Sequence, residues 1–235
     1  MATQVTRKRA AILFADLSAF IAREIPGFEI RYKNESFVQK LIAVVVWIFN
    51  RHYMKKYVST IYPIVWFPSR EFVAENPWKA TKILAHEYVH LLDAKGEQRW
   101  WKFCYLLPQS LTFPLALTGA IVCAVVGAPW WTFPLLGLVS TAPWPAAFRR
   151  DAELRGYAMN MVVNVWRYGS IRRSTIEWIV NEFTGPPYYF MWPFRKNMTE
   201  RVVEVEGEIT FGRIYHSEAG GKPYAEVIRI FEGNG

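Results

Sequence analysis

The chain has 235 residues, of which 52% are hydrophobic and 20% charged, and it carries 11 Trp, 12 Tyr and 16 Phe. That length suits one substantial core, so a single domain over residues 1–235 is expected, and the composition excludes a disordered chain. The net charge of +8 suits an anionic partner without choosing among nucleic acid, a phospholipid surface and acidic proteins. No long basic run and no zinc-finger, RRM or helix-turn-helix signature is present, so nucleic acid is not the expected partner.

In chain order, "MATQVTRKRAAILFADLSAFIAREIPG" (1–27) sets a basic cluster before apolar residues. Asp16, Arg23 and Glu24 interrupt the run and no convincing cleavage site follows, so it reads as an amphipathic helix and not as an export signal. "ESFVQKLIAVVVWIFNRHYMKK" (35–56) reads as an apolar helix ending in a basic turn, too short to span a bilayer and expected to pack in the core. "YVSTIYPIVWFPS" (57–69) is β-branched and aromatic and reads as a strand, with Pro63 pointing to a sheet edge. "ENPWKATKILAHEYVHLLDAKG" (75–96) has Asn76 to cap a helix, Pro77 for its first position and Gly96 to end it.

Residues 103–147 contain no charged side chain. They read as two apolar arms broken at "GAPWW", an inserted helical hairpin whose first arm, Phe103 to Val126, is long enough at about 1.5 Å per residue to cross about 30 Å of hydrocarbon. "QRWWK" before the block and "FRRD" after it are basic, as expected of two ends on one cytoplasmic membrane face. Attachment to the inner face of a membrane is therefore expected of a cytoplasmic protein; burial of the block against the rest of the chain stays open. Cys104 and Cys123 lie in apolar sequence without CxxC spacing, which fits a reducing compartment and argues against a cysteine-ligated metal.

A helix is expected through residue 168 and another ending at Gly185. "PPYYFMWPFRK" reads as a loop or short helix. The tail, 200–233, reads as two strands joined at "EAGGKP", a C-terminal β-hairpin. The fold class is α+β, mainly helical, with a small edge sheet.

The chemistry concentrates in "HEYVH". His86 and His90, four apart on a helix, share a face and offer two nitrogen donors to a zinc ion. Glu87 follows the first histidine, where a carboxylate can take a proton from water activated at the metal. "HEYVHLLD" resembles the active-site helix of zincin metallopeptidases, and "STIYPIVWFP" is similar to the edge strand that pairs with extended substrate in that fold. The resemblance implies a zinc peptidase acting on a peptide or protein substrate.

The metzincin continuation is absent, since the next histidine is His216. The gluzincin pattern implies a glutamate on a later helix, and "RRDAELRGYAMN" supplies Glu153, with Asp151 and Glu97 as rivals. Glu153, Tyr157 and Asn160 share a helical face. An aromatic residue four positions after the glutamate is similar to short zincin-like proteins of bacteriophage and bacterial genomes; membrane-embedded zincins that process prenylated or misfolded proteins have aspartate there. The resulting expectation is Zn²⁺ on His86, His90 and Glu153, Glu87 as general base, Tyr157 as an oxyanion donor and Asp93 as an orienting group behind His90. The competing reading is a non-catalytic structural or membrane-associated protein on the same scaffold.

Overall fold

A computed structural model describes residues 5–46, 53–96, 98–107, 109–142, 144–216 and 221–233. Helix α1 (Arg7–Glu24) begins at Thr6, whose hydroxyl accepts the Arg9 N–H, and it buries Leu13, Leu17 and Ile21 at helical spacing. Strand β1 (Glu29–Tyr32), α2 (Phe37–Val46) and the short α3 (Tyr53–Lys56) follow.

The stretch expected as one strand is two, β2 (Ser59–Ile61) and β3 (Ile64–Phe67), because the chain turns at Tyr62–Pro63, a cis peptide bond. The sheet order is β1-β3-β2, with β1 parallel and β2 antiparallel to β3. Pro63 thus marks a turn, and of the two strands it separates β2 lies at a sheet edge. Helix α2 departs from the expected core role. Phe37, Val38, Leu41 and Val44 are exposed, while its Gln39 is buried and accepts the Tyr53 hydroxyl at 2.7 Å. Residues 47–52 lie outside the described residues.

Helix α4 (Arg70–Glu75) is capped by Ser69, and α5 runs Pro77–Gly96, the expected bounds. The Asn76 carbonyl accepts the Ala80 N–H at 2.9 Å, while its side-chain amide turns back to the Phe72 carbonyl. Every residue of α5 from Leu84 to Leu91 is buried, which makes it the central helix. It packs between α1 and the later α9. Thr81 donates to the Ala10 carbonyl of α1 at 3.1 Å.

The apolar block forms the end of α6 (Gln98–Tyr105), then α7 (Gln109–Val125) and α8 (Thr132–Thr141), which pack on each other. The first arm is shorter than expected. Phe103 to Tyr105 belong to α6, and α7 has 17 residues, a rise of about 26 Å against about 30 Å of hydrocarbon. Among the described residues no helix is long and apolar enough to cross a membrane. Nor is the hairpin buried in the chain: Leu115, Ile121, Val125 and Trp130 are exposed.

Helix α9 (Ala147–Tyr168) ends at left-handed Gly169, and α10 (Arg173–Thr184) and a 3₁₀ turn, Pro186–Tyr188, come next. The tail corrects the expected β-hairpin: it is α11 (Arg195–Thr210) and α12 (Lys222–Gly233). The reason is periodicity. Met198, Val202 and Ile209 of α11, and Tyr224, Val227 and Phe231 of α12, are the buried positions, and both sets fall on one helical face. Tyr88 of α5 donates to Glu226 of α12 at 3.2 Å, and one apolar cluster joins α1, the sheet and the helices α5 and α9 to α12. The protein is mainly helical, with one small three-stranded sheet.

Candidate metal centre

Two buried helices carry the centre. His86 and His90 project from α5 toward Glu153 on α9, and the three side chains are 7%, 5% and 4% exposed. The ring nitrogens His86 Nε2 and His90 Nε2 are 3.1 Å apart, and Glu153 Oε2 is 3.5 Å from the first and 3.8 Å from the second. Bonds of about 2.0 to 2.1 Å in a tetrahedron place donors about 3.3 Å apart. The three donors of this chain already form one face of such a tetrahedron, within about half an ångström. Among the described residues they are the group of His, Cys, Asp and Glu side chains that could hold a metal ion.

Close approach of the helices depends on Gly156, one turn after Glu153. A Cβ added there would lie 2.5 Å from His86 Nε2 and 2.6 Å from His86 Cε1. Only glycine leaves room for the imidazole.

The groups behind the donors fit a cation. The Asn160 carboxamide lies 3.1 Å from His86 Nδ1, placed as Nδ2, which leaves its buried Oδ1 without a partner. Turned half a revolution, Oδ1 accepts an Nδ1 proton and Nδ2 takes the unpartnered place, an arrangement that frees the His86 Nε2 lone pair for a cation in place of an N–H toward Glu153. His90 Nδ1 is also buried without a hydrogen bond. Asp93 Oδ2, the expected orienting group, stands 4.0 Å from it and accepts from Arg155 at 2.7 Å. Burial would lower the His90 pKa, but Glu153, with Glu87 and Asp93, outweighs it and raises it.

Glu153 is held by tyrosines. Tyr105 donates to Oε1, and Tyr188 donates to Oε2 at 3.0 Å. Burial would raise the carboxyl, yet the His86 and His90 rings hold it well below the usual range. Burial first, and Glu153 next, push both tyrosines well above their ordinary value, so they stay neutral donors. The chain after Tyr188 is reversed by Tyr189 and Phe190 at φ 55° and 51°, and Ala146 N–H donates to Met191 O at 3.0 Å, which folds this segment over the start of α9.

A cavity of about 490 Å³ opens on these donors. Strand β2 forms one wall; Trp101, Lys102 and Tyr105 of α6, with Arg149 and Tyr188, form others. Glu87 lines it beside the histidines, its Oε2 accepting the Thr60 hydroxyl of β2 at 2.7 Å. The carboxylate thus sits between α5 and the edge strand β2.

The structure brings His86, Glu87, His90 and Glu153 together and corrects the role expected of Tyr157. That ring is buried against His86, Trp178 and Phe183, its hydroxyl donates to Tyr188 at 3.3 Å, and it does not line the cavity. Helical spacing put it on the face of Glu153, but that face is covered by α10 and the 186–188 turn. Asp151 is engaged by Arg150 and Arg201 away from the centre, and Glu97 lies outside the described residues. Sequence reasoning missed Tyr105, Tyr188, Thr60 and Gly156. For Gly156 a signal exists, since glycine inside a strong helix costs about 1 kcal/mol and points to a close approach. Compared with protein-family models, curated proteins and solved structures, the chain matches none.

Proposed function

We propose that the chain is a zinc-dependent peptidase of the gluzincin type. The observation that carries this reading is the convergence of His86 Nε2, His90 Nε2 and Glu153 Oε2 at 3.1 to 3.8 Å, with Glu87 lining the same cavity. Two imidazoles and a carboxylate with an open side are a donor set of catalytic zinc, and the cation would supply Lewis acidity and lower the pKa of a water.

This chain's own residues do the rest. Glu87, oriented by Thr60, accepts a proton from the attacking water and returns it to the leaving amine nitrogen. Strand β2 is at the edge of the sheet and lines the cavity, so its free backbone can pair with an extended peptide. Tyr105 and Tyr188 fix both oxygens of Glu153, and Asn160 fixes the His86 ring.

The test is a pair of variants. Glu87→Gln should keep one zinc per chain by elemental analysis and lose peptide cleavage by about 10²-fold or more. Cleavage at the original rate would refute the role of Glu87, and full zinc content in His86→Ala would refute the centre.

The exposed apolar hairpin supports a second element, attachment to the cytoplasmic face of a membrane through α7 and α8. A chain that keeps this attachment but binds no zinc would be the non-catalytic, membrane-associated protein of the competing reading.

A further inference from the structure

The two arginines near the start of α9 meet different fates. Arg150 donates to Asp151 at 2.8 and 2.9 Å and lies 3.9 Å over the Trp192 ring. Arg149 lines the cavity, makes no ion pair among the described residues, and its buried Nε has no hydrogen-bond partner. Its guanidinium is nonetheless fixed, 5.3 Å over the Tyr105 ring and 5.6 Å over the Tyr188 ring. These are the rings whose hydroxyls hold Glu153.

Its hydrogen bond with Tyr105 and the two rings fix the plane of the guanidinium, Nε is covered, and the residue lines the cavity, so the terminal nitrogens form a preorganised fork for a carboxylate. The charge balance of the cavity agrees. Arg149 feels the charge of Glu153, but a divalent cation would offset Glu87 and Glu153 together and leave Arg149 and the exposed Lys102 as the excess positive charge of the cavity lining. The substrate that answers this balance carries a negative group close to the bond that is cut. The edge of β2 calls for an extended peptide, and every unmodified peptide ends in one carboxylate.

We infer that Arg149 binds the C-terminal α-carboxylate of a short peptide, so that the chain acts near free C-termini and not within long polypeptides. The inference rests on the peptidase reading above, and its test separates the two.

Three probes are titrated calorimetrically into the zinc-loaded full chain. All are hydroxamate-capped dipeptides: one a free acid, one its carboxamide, and one a carboxamide bearing an Asp side chain at the second residue. The free acid should bind about 10-fold or more tightly than the carboxamide. That ratio should fall to within about 3-fold in Arg149→Gln, survive in part in Arg149→Lys, and persist in Glu87→Gln. Equal binding of acid and carboxamide to the native chain overturns the role of Arg149 and leaves the metal centre standing. A ratio unchanged in both Arg149 variants also overturns it, and assigns Arg149 to balancing Glu153. Binding of the Asp carboxamide as tight as the acid overturns the assignment to the C-terminus. Failure of every hydroxamate to bind sinks the metal centre and this inference with it.

Discussion

Gly156→Ala is the most local perturbation of the centre. In an ordinary helix the change is favourable by about 1 kcal/mol, because alanine restricts the unfolded chain and glycine does not. Here the new Cβ would lie 2.5 Å from His86 Nε2, about 0.9 Å inside ordinary contact at 3.4 Å. The imidazole must yield by most of that distance, and overpacking of this kind costs about 1 to 3 kcal/mol. The propensity gain offsets part of it, so a net destabilisation of about 0 to 2 kcal/mol is expected by urea unfolding of the metal-free chain. The larger effect falls on zinc, because ligand distances tolerate only about 0.2 Å. Competition against a chelator should show affinity reduced by about 100-fold or more. Gly207 is the control: it lies in α11 with nothing within 4 Å of an added Cβ, so Gly207→Ala should stabilise by about 0.5 to 1 kcal/mol and leave zinc binding alone. If Gly156→Ala behaves like Gly207→Ala in both assays, the close packing of α9 on His86 is wrong.

Two further predictions follow from other parts of the molecule. Lys33 is fully buried, its ammonium 3.6 Å from the Tyr53 ring centroid, and burial lowers its pKa to about 7 despite the raising effect of Glu87. Below pH 7 both folded and unfolded chains hold the proton and the burial penalty is fully present; between pH 7 and 10.5 the unfolded chain holds more, so Lys33 contributes stability that rises with pH. Lys33→Met should flatten that rise in urea unfolding between pH 6.5 and 9.5; an identical slope in the variant refutes the assignment. At the hairpin, Leu115→Glu with Val125→Glu replaces two exposed residues of α7, and should change stability by no more than about 0.5 kcal/mol while reducing cosedimentation with phospholipid vesicles; unchanged cosedimentation would remove the membrane from the reading.

Helix α5 was legible because its signals agree: Pro77 at the first position, Gly96 at the end, and His86 and His90 one turn apart. Glu153 was legible through the resemblance, and its helix through apolar periodicity. Strand β1 was not, because its parallel partner β3 lies more than thirty residues downstream and no local pattern announces such a pairing. The tail misled through "VVEVE", whose local alternation imitates a strand. The longer spacing of Met198, Val202 and Ile209 is the one that reaches the core. Tyr105 and Tyr188 approach Glu153 across 48 and 35 residues, so the order in which they meet is a product of packing and of the reversed chain at Tyr189 and Phe190.

The centre also makes sense as a set of local costs. Glu153 is a carboxylate withdrawn from water, His90 Nδ1 and Asn160 Oδ1 are polar atoms withdrawn without partners, and Gly156 weakens its own helix to admit the His86 ring. A buried polar cluster that served only to hold α5 against α9 gains little over apolar side chains of the same shape, which often stabilise a core as well or better. These four burdens meet at one point, where three donors face each other at the spacing of a cation's ligands. On the proposed reading, a divalent ion there would neutralise the carboxylate, engage both Nε2 atoms, and set the His86 proton on the side where Asn160 can accept it. Such an ion would answer three of these burdens, the buried carboxylate, the Asn160 oxygen and the space Gly156 leaves for the ring, and Glu87 lines the same cavity beside it.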